Sequence, residues 1–252
     1  MAANVKKILI AIVAVFIATP ILDKFFGIDL VEWGNFSSKS FFLGLELWRV
    51  FTYPFLHGGI FHILFNALVL YSLGSDLEFR WGGKKFLLFF FVSSIGGAFA
   101  QSILWGVASV FFPESSFAGL GTDRIVGASG GLYGLFVAFG ILQGNSIVHA
   151  FMLFPIKAKN FVLILLGVEI YSSIFQSNSG VAHLVHLGGL VSGFLMLKIW
   201  GPNLDGRGGW GGFGGKKSKA DMSRAEVRSR LKLIVNKDDT RNSGGKYPSD
   251  WN

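Results

Sequence analysis

Ser129 sits in the stretch Gly127-Ala128-Ser129-Gly130-Gly131, inside an apolar run. A hydroxyl among residues with little or no side chain has two readings. Either the small residues let helices pack, or a reacting group must come close to the serine. A free serine hydroxyl is a weak nucleophile and needs a nearby base, most often histidine. The sequence offers His57, His62, His149, His183 and His186. The other polar groups within apolar stretches are Asn66, Gln101, Tyr133 and Glu169. Such groups are costly to bury and are functional candidates on that ground. His62 and Asn66 are four residues apart in "HILFN", so they share a helical face, and their N–H groups can donate to a developing oxyanion. Four of the histidines also have a zinc-binding reading. No HExxH pattern is present and no carboxylate is read as completing a site, so the expectation is no metal and no cofactor.

Composition says what must hold these residues. The chain has 252 residues, 51% hydrophobic and 15% charged, and a mean hydropathy of +0.52. A soluble domain carries about 25% charged residues. The sequence therefore reads as an all-α polytopic membrane protein. Six apolar segments are expected, at about 8–26, 57–77, 86–110, 125–142, 161–175 and 181–200. Several approach the ~20 residues that cross ~30 Å of hydrocarbon. The first follows Lys6 and Lys7, as in a signal peptide, but no small-x-small site follows it, so a retained helix is expected. The absence of cysteine excludes disulfides, thiolate metal sites and a cysteine nucleophile. Of the net charge of +8, the tail after Trp200 supplies +5, from 11 Lys and Arg against 6 Asp and Glu. That is the bias of a cytoplasmic tail, and no nucleic-acid partner is inferred. The division is a six-helix membrane domain over 1–200 and a flexible region over 201–252. The latter holds a glycine-rich linker, "GPNLDGRGGWGGFGG", and a stretch, "DMSRAEVRSRLKLIV", with the pattern of a short basic helix.

Orientation selects among the histidines. Lys6 and Lys7, Arg80 with Lys84 and Lys85, Lys157 with Lys159, and the basic tail all fall on one side if six segments span. That side is the cytoplasm. Both termini are then inside, and the 27–56 loop and the "QSNSG" turn are outside. The fourth and sixth segments both enter from outside, with Ser129 about one turn into the fourth and His186 about one turn below His183 in the sixth. His57 and His62, at the start of the second segment, remain in play, whereas His149 lies on the wrong side. Packing favours His186 as the base. It shares a face with Gly189 and Gly193, and Gly130 with Gly134 forms a matching small-residue pair beside Ser129. Such pairs permit the close approach that a hydrogen bond from Ser129 to His186 needs. Tyr133, one turn after Ser129, is placed to hold the imidazole.

Taken in order, "WR" at Trp48 and Arg49, "HGGIFHILFN" from His57 to Asn66, "EFR" from Glu78 to Arg80, "GASG" from Gly127 to Gly130 and "AHLVHLGGLVSG" from Ala182 to Gly193 resemble the rhomboid family of intramembrane serine proteases. The resemblance covers about 47–197. It implies a six-transmembrane-helix rhomboid-like bundle with a Ser–His dyad and no required aspartate. The base precedes x-Gly-Gly in the family, which here is His186. The oxyanion donors map to His62, Asn66 and the Ser129 N–H. Tyr133 matches the position that packs on the imidazole, while Gly127, Gly130 and Gly189 support the site. Trp48, Arg49, Glu78 and Arg80 match structural positions. The implied substrates are transmembrane helices of other proteins that unwind near their outer end and are cut beside a small residue. The implied setting is a lipid bilayer, a bacterial plasma membrane, with the site opening outward. Two competing readings are an inactive rhomboid relative that binds membrane clients, and a transporter. Ser129 and His186 both being present opposes the first. The clustering of polar residues toward one leaflet opposes the second. Oligomeric state is not legible.

Overall fold

The computed structural model describes residues 1–150, 153–175 and 182–200. The glycine-rich linker, the basic stretch beyond it and the "QSNSG" turn lie outside the described residues. Helix α1 spans Ala3–Phe26. The following loop carries three short helices: α2 (Leu30–Gly34), α3 (Ser38–Phe42) and α4 (Arg49–Thr52). Helices α5 (Ile60–Val69) and α6 (Ser75–Trp81) are joined through a π turn, Leu70–Gly74, into one run of 22 residues. Then come α7 (Gly83–Phe111), α8 (Ser129–Leu142), α9 (Ala158–Phe175) and α10 (His183–Trp200). An antiparallel hairpin, β1 (Ile147–Ala150) with β2 (Phe154–Lys157), joins α8 to α9 where the sequence suggested only a basic loop.

Among the described residues five helices are long and apolar enough to cross a membrane: α1, the α5–α6 run, α7, α9 and α10. The expected fourth segment is the one that falls short. Helix α8 has 14 residues, or about 21 Å at 1.5 Å per residue. It begins at Ser129 rather than near Ile125 because Gly127 takes a φ of +114°, which a helix cannot contain. Helix α8 is buried nearly all round, through Gly130, Gly131, Leu132, Gly134, Leu135, Phe136, Val137 and Ala138. A helix apolar on every side belongs in a protein interior, and there it has no need to span the bilayer.

Small residues set the packing around it. A Cβ on Gly189 of α10 would collide with the Gly130 carbonyl oxygen of α8. One on Gly193 would lie 2.8 Å from the Gly134 Cα, and one on Gly188 would lie 2.9 Å from the Gly97 Cα of α7. Without a hydrophobic driving force between helices in lipid, backbone approach of this kind is what holds them.

Two buried charges fix the periphery. Arg49 donates from Nη1 to the carbonyls of Glu32 and Asn35, both at 2.7 Å, and pairs with Glu46. It thereby ties the short loop helices together. Glu78 accepts from the backbone N–H of Asn4 at 2.9 Å and of Val5 at 2.8 Å. Helix α1 has no side-chain cap of its own at Ala2, so the Glu78 carboxylate serves its orphan amides.

Candidate active site

The segment leading into α8 is tied to the first loop by backbone hydrogen bonds. Phe36 and Ile125 exchange backbone hydrogen bonds of 2.9 and 2.8 Å, and the Gly127 N–H donates to the Tyr53 carbonyl at 2.9 Å. Tyr53 in turn donates from its hydroxyl to the Ser94 carbonyl of α7 at 2.7 Å. The segment before Ser129 is thus extended and held, and the turn at Gly127 starts the helix abruptly. Ser129 is its first residue, not one turn inside as the sequence suggested. The first helical backbone bond runs from the Leu132 N–H to the Ala128 carbonyl. The Ser129 N–H precedes it and belongs to the set of amides that a helix start leaves without an intrahelical partner.

Ser129 Oγ lies 2.8 Å from His186 Nε2, in a hydrogen bond between α8 and α10. The Tyr133 ring stacks on the His186 imidazole, with centroids 4.2 Å apart and planes 9° from parallel. Ser129, His186 and Tyr133 therefore meet at the place where Gly130 and Gly189 bring the two backbones together.

His62 and Asn66 flank the turn before Ser129. A Cβ on Gly127 would fall 2.6 Å from His62 Nε2 and 3.7 Å from Asn66 Nδ2. Glycine is required there twice over, by its φ and by this space. Asn66 is buried, and its Nδ2 has no hydrogen-bond partner among the described residues. An unspent donor in such a position is an unusual cost in a folded chain. His57, expected within the second segment, precedes it, because the helix starts only at Ile60. Its ring meets that of His62 edge-on at 4.9 Å. Burial, reinforced by the nearby His62, pushes the His57 pKa down to about 4, so this ring is neutral at neutral pH.

His183 does not bond to Ser129. Its Nδ1 lies 2.6 Å from Glu169 Oε2. Glu169 Oε1 lies 3.0 Å from His186 Nδ1 and also accepts from the Tyr133 hydroxyl. Glu169 was legible as the lone carboxylate of the fifth apolar segment, but its spacing to the other polar residues gave it no partner. The expectation that no carboxylate would complete a metal site does not hold. Glu169, His183 and His186 present ligand atoms within 4.8 Å of one another. In this structure hydrogen bonds already join the three. Gln101 is apart from the group, donating from Nε2 to the Leu120 carbonyl.

A profile of the Rhomboid domain matches residues 44–203. RHOMBOID-like protein 1 of Arabidopsis thaliana is 33% identical over 152 residues, 60% of this chain and 34% of that protein. Rhomboid protease GluP of Bacillus subtilis is 31% identical over 159 residues, 62% of this chain and 26% of that protein. Rhomboid protease GlpG of Serratia proteamaculans is 29% identical over 191 residues, 74% of this chain and 60% of that protein. The matched region thus covers between a quarter and three fifths of these relatives.

Proposed function

The chain belongs to the rhomboid family and is an integral membrane protein, and from that premise we propose that it is a serine endopeptidase. Its substrates would be other membrane proteins, hydrolysed in or next to their transmembrane helices. Ser129 Oγ attacks the scissile carbonyl carbon while its proton passes to His186 Nε2. The carbonyl oxygen becomes an oxyanion, which the Ser129 N–H, His62 and Asn66 stabilise. His186 then gives the proton to the leaving amine as the C–N bond breaks. Water repeats the sequence on the acyl-enzyme, with His186 again the base. A substrate helix hides its carbonyls in its own hydrogen bonds, so it must unwind locally before attack.

The observation that carries this reading is the 2.8 Å bond from Ser129 to His186, formed between helices held together at Gly130 and Gly189. Asn66 Nδ2, which has no partner among the described residues, supports the oxyanion role. The reading includes the expected setting, with both termini cytoplasmic and the site toward the outer leaflet. Residues 1–200 form the catalytic membrane domain in it.

Labelling purified protein in detergent with a fluorophosphonate tests the proposal. Labelling that disappears in both Ser129→Ala and His186→Ala is expected, together with loss of cleavage of a transmembrane substrate in liposomes. Labelling that persists in Ser129→Ala overturns the assignment of the nucleophile. A wild-type chain that neither labels nor cleaves, yet retains membrane clients, would be the inactive binding relative instead.

A further inference from the structure

A neutral imidazole carries one proton on one of its two nitrogens. For His186 Nε2 to accept from Ser129, that proton must sit on Nδ1, and the ring must be kept from turning over. The partner that Nδ1 finds is Glu169 Oε1, 3.0 Å away. The face of the same ring is covered by Tyr133. Edge and face are therefore both held, by side chains from α9 and α8.

Glu169 is an expensive residue to keep. It is 4% exposed, in the middle of a helix long and apolar enough to span the bilayer. An ionised carboxylate in such surroundings costs several kcal/mol unless it is paired and hydrogen-bonded. It is fully engaged. Oε1 accepts from the Tyr133 hydroxyl and the His186 ring, and Oε2 faces the His183 ring at 2.6 Å. The carboxylate is thus pinned by α8 and α10 before it acts on His186. Fixed partners of this kind give a side chain the preorganisation that catalytic geometry requires.

We propose that Glu169 is a positioning residue for His186, making a Ser129–His186–Glu169 triad rather than a two-residue dyad; this rests on the protease reading above. The carboxylate holds the proton on Nδ1 and presents Nε2 to Ser129. When Ser129 Oγ bonds the carbonyl carbon and its proton moves to Nε2, the ring becomes an imidazolium. Its charge then faces the Glu169 anion instead of lying unpaired among apolar side chains. The proton leaves with the amine from Nε2, and Nδ1 keeps its own throughout. His183 and Tyr133 act one step further out, on Glu169.

Glu169→Gln tests this, because it keeps the size and an acceptor oxygen but removes the charge. In soluble Ser–His–Asp enzymes, loss of the acidic member costs about 10⁴ in kcat. Here Tyr133 still holds the ring face, so a smaller loss, about 10²–10³ in kcat, is expected. KM should stay within about threefold, and fluorophosphonate labelling should slow in parallel, since it reads Ser129 without substrate recognition. Glu169→Asp, which returns the charge one methylene short, should recover part of the kcat lost in Glu169→Gln. Glu169→Gln at wild-type kcat, with Ser129→Ala and His186→Ala inactive, would overturn this inference alone. Equal losses in the Gln and Asp variants, matched by lower unfolding midpoints, would mark Glu169 as packing and overturn it too. Cleavage surviving in Ser129→Ala would instead remove the underlying protease reading.

Discussion

A bulky residue at Gly189 should disable the site without touching any reacting atom. A Cβ there would collide with the Gly130 carbonyl oxygen, and would lie 2.9 Å from the Gly130 carbonyl carbon and 3.2 Å from its Cα. Carbon atoms in comfortable contact sit about 3.5–4.0 Å apart. These are backbone atoms and cannot swing aside, so the two helices must part by about 1 Å for alanine and by more for valine. Gly130 adjoins Ser129, and Gly189 is one turn from His186 on the same face. The same displacement therefore stretches the 2.8 Å Ser129 to His186 bond beyond hydrogen-bonding range. A misplacement of about 1 Å can cost 10²-fold in rate. Gly189→Val should thus lose at least about 10²-fold in cleavage of a transmembrane substrate, measured in liposomes at equal inserted protein. Gly106→Ala is the matched control, since a Cβ at Gly106 of α7 meets nothing within 4 Å. It should keep wild-type rates and gain slightly in stability from its helix propensity. Wild-type cleavage by Gly189→Val would refute the argument that this glycine contact sets the catalytic distance.

Four further outcomes are expected. The Ser129→Ala, His186→Ala double variant should cleave no more slowly than either single one, because residues acting as a unit are not additive. His183→Ala should keep measurable activity, since His183 reaches Glu169 and not Ser129; an inactive His183→Ala beside an active His186→Ala would reverse the assignment of the base. His62→Ala and Asn66→Ala should each lower kcat, by up to about 10²–10³, and an unchanged kcat in the double variant would remove their oxyanion role. Cleavage should survive treatment with a chelator, because the rings of His183 and His186 are already engaged by Glu169. Stoichiometric zinc in elemental analysis, together with loss of cleavage in chelator, would turn that cluster into a metal site and overturn the serine mechanism.

What the sequence made legible was set by the range of each signal. Helix periodicity and small-residue spacing are local, and they brought Gly130 and Gly134 opposite Gly189 and Gly193 as the packing requires. His62 with Asn66, and Ser129 with Tyr133, are pairs within one helix, so spacing alone put them on one face. Glu169 depends on the rotation of a third helix about its axis, which no pattern within α9 fixes. The start of α8 was misread for a different reason. Hydropathy continues smoothly through Ile125 and Val126, whereas the backbone breaks at Gly127 for a conformational reason that hydropathy does not register.

That break joins the fold to the proposed chemistry. A polar reaction inside a membrane protein needs donors that secondary structure has not consumed, and a continuous span consumes nearly all of its own. Starting α8 at Ser129 leaves the amides of its first turn without intrahelical partners. The positive φ at Gly127 and the tight fit against His62 put the turn where only glycine is tolerated. Asn66 adds a buried donor with no partner among the described residues, at a typical cost of about 1–3 kcal/mol. A chain selected for stability alone would fill that donor or replace it with an apolar side chain. Retaining both the orphan amide and the orphan side chain beside one nucleophile makes sense where an oxyanion forms between them. By the same argument Asn66→Leu should raise the unfolding midpoint while lowering kcat; a variant that lost both stability and activity would show that Asn66 is held by the fold and not by the reaction.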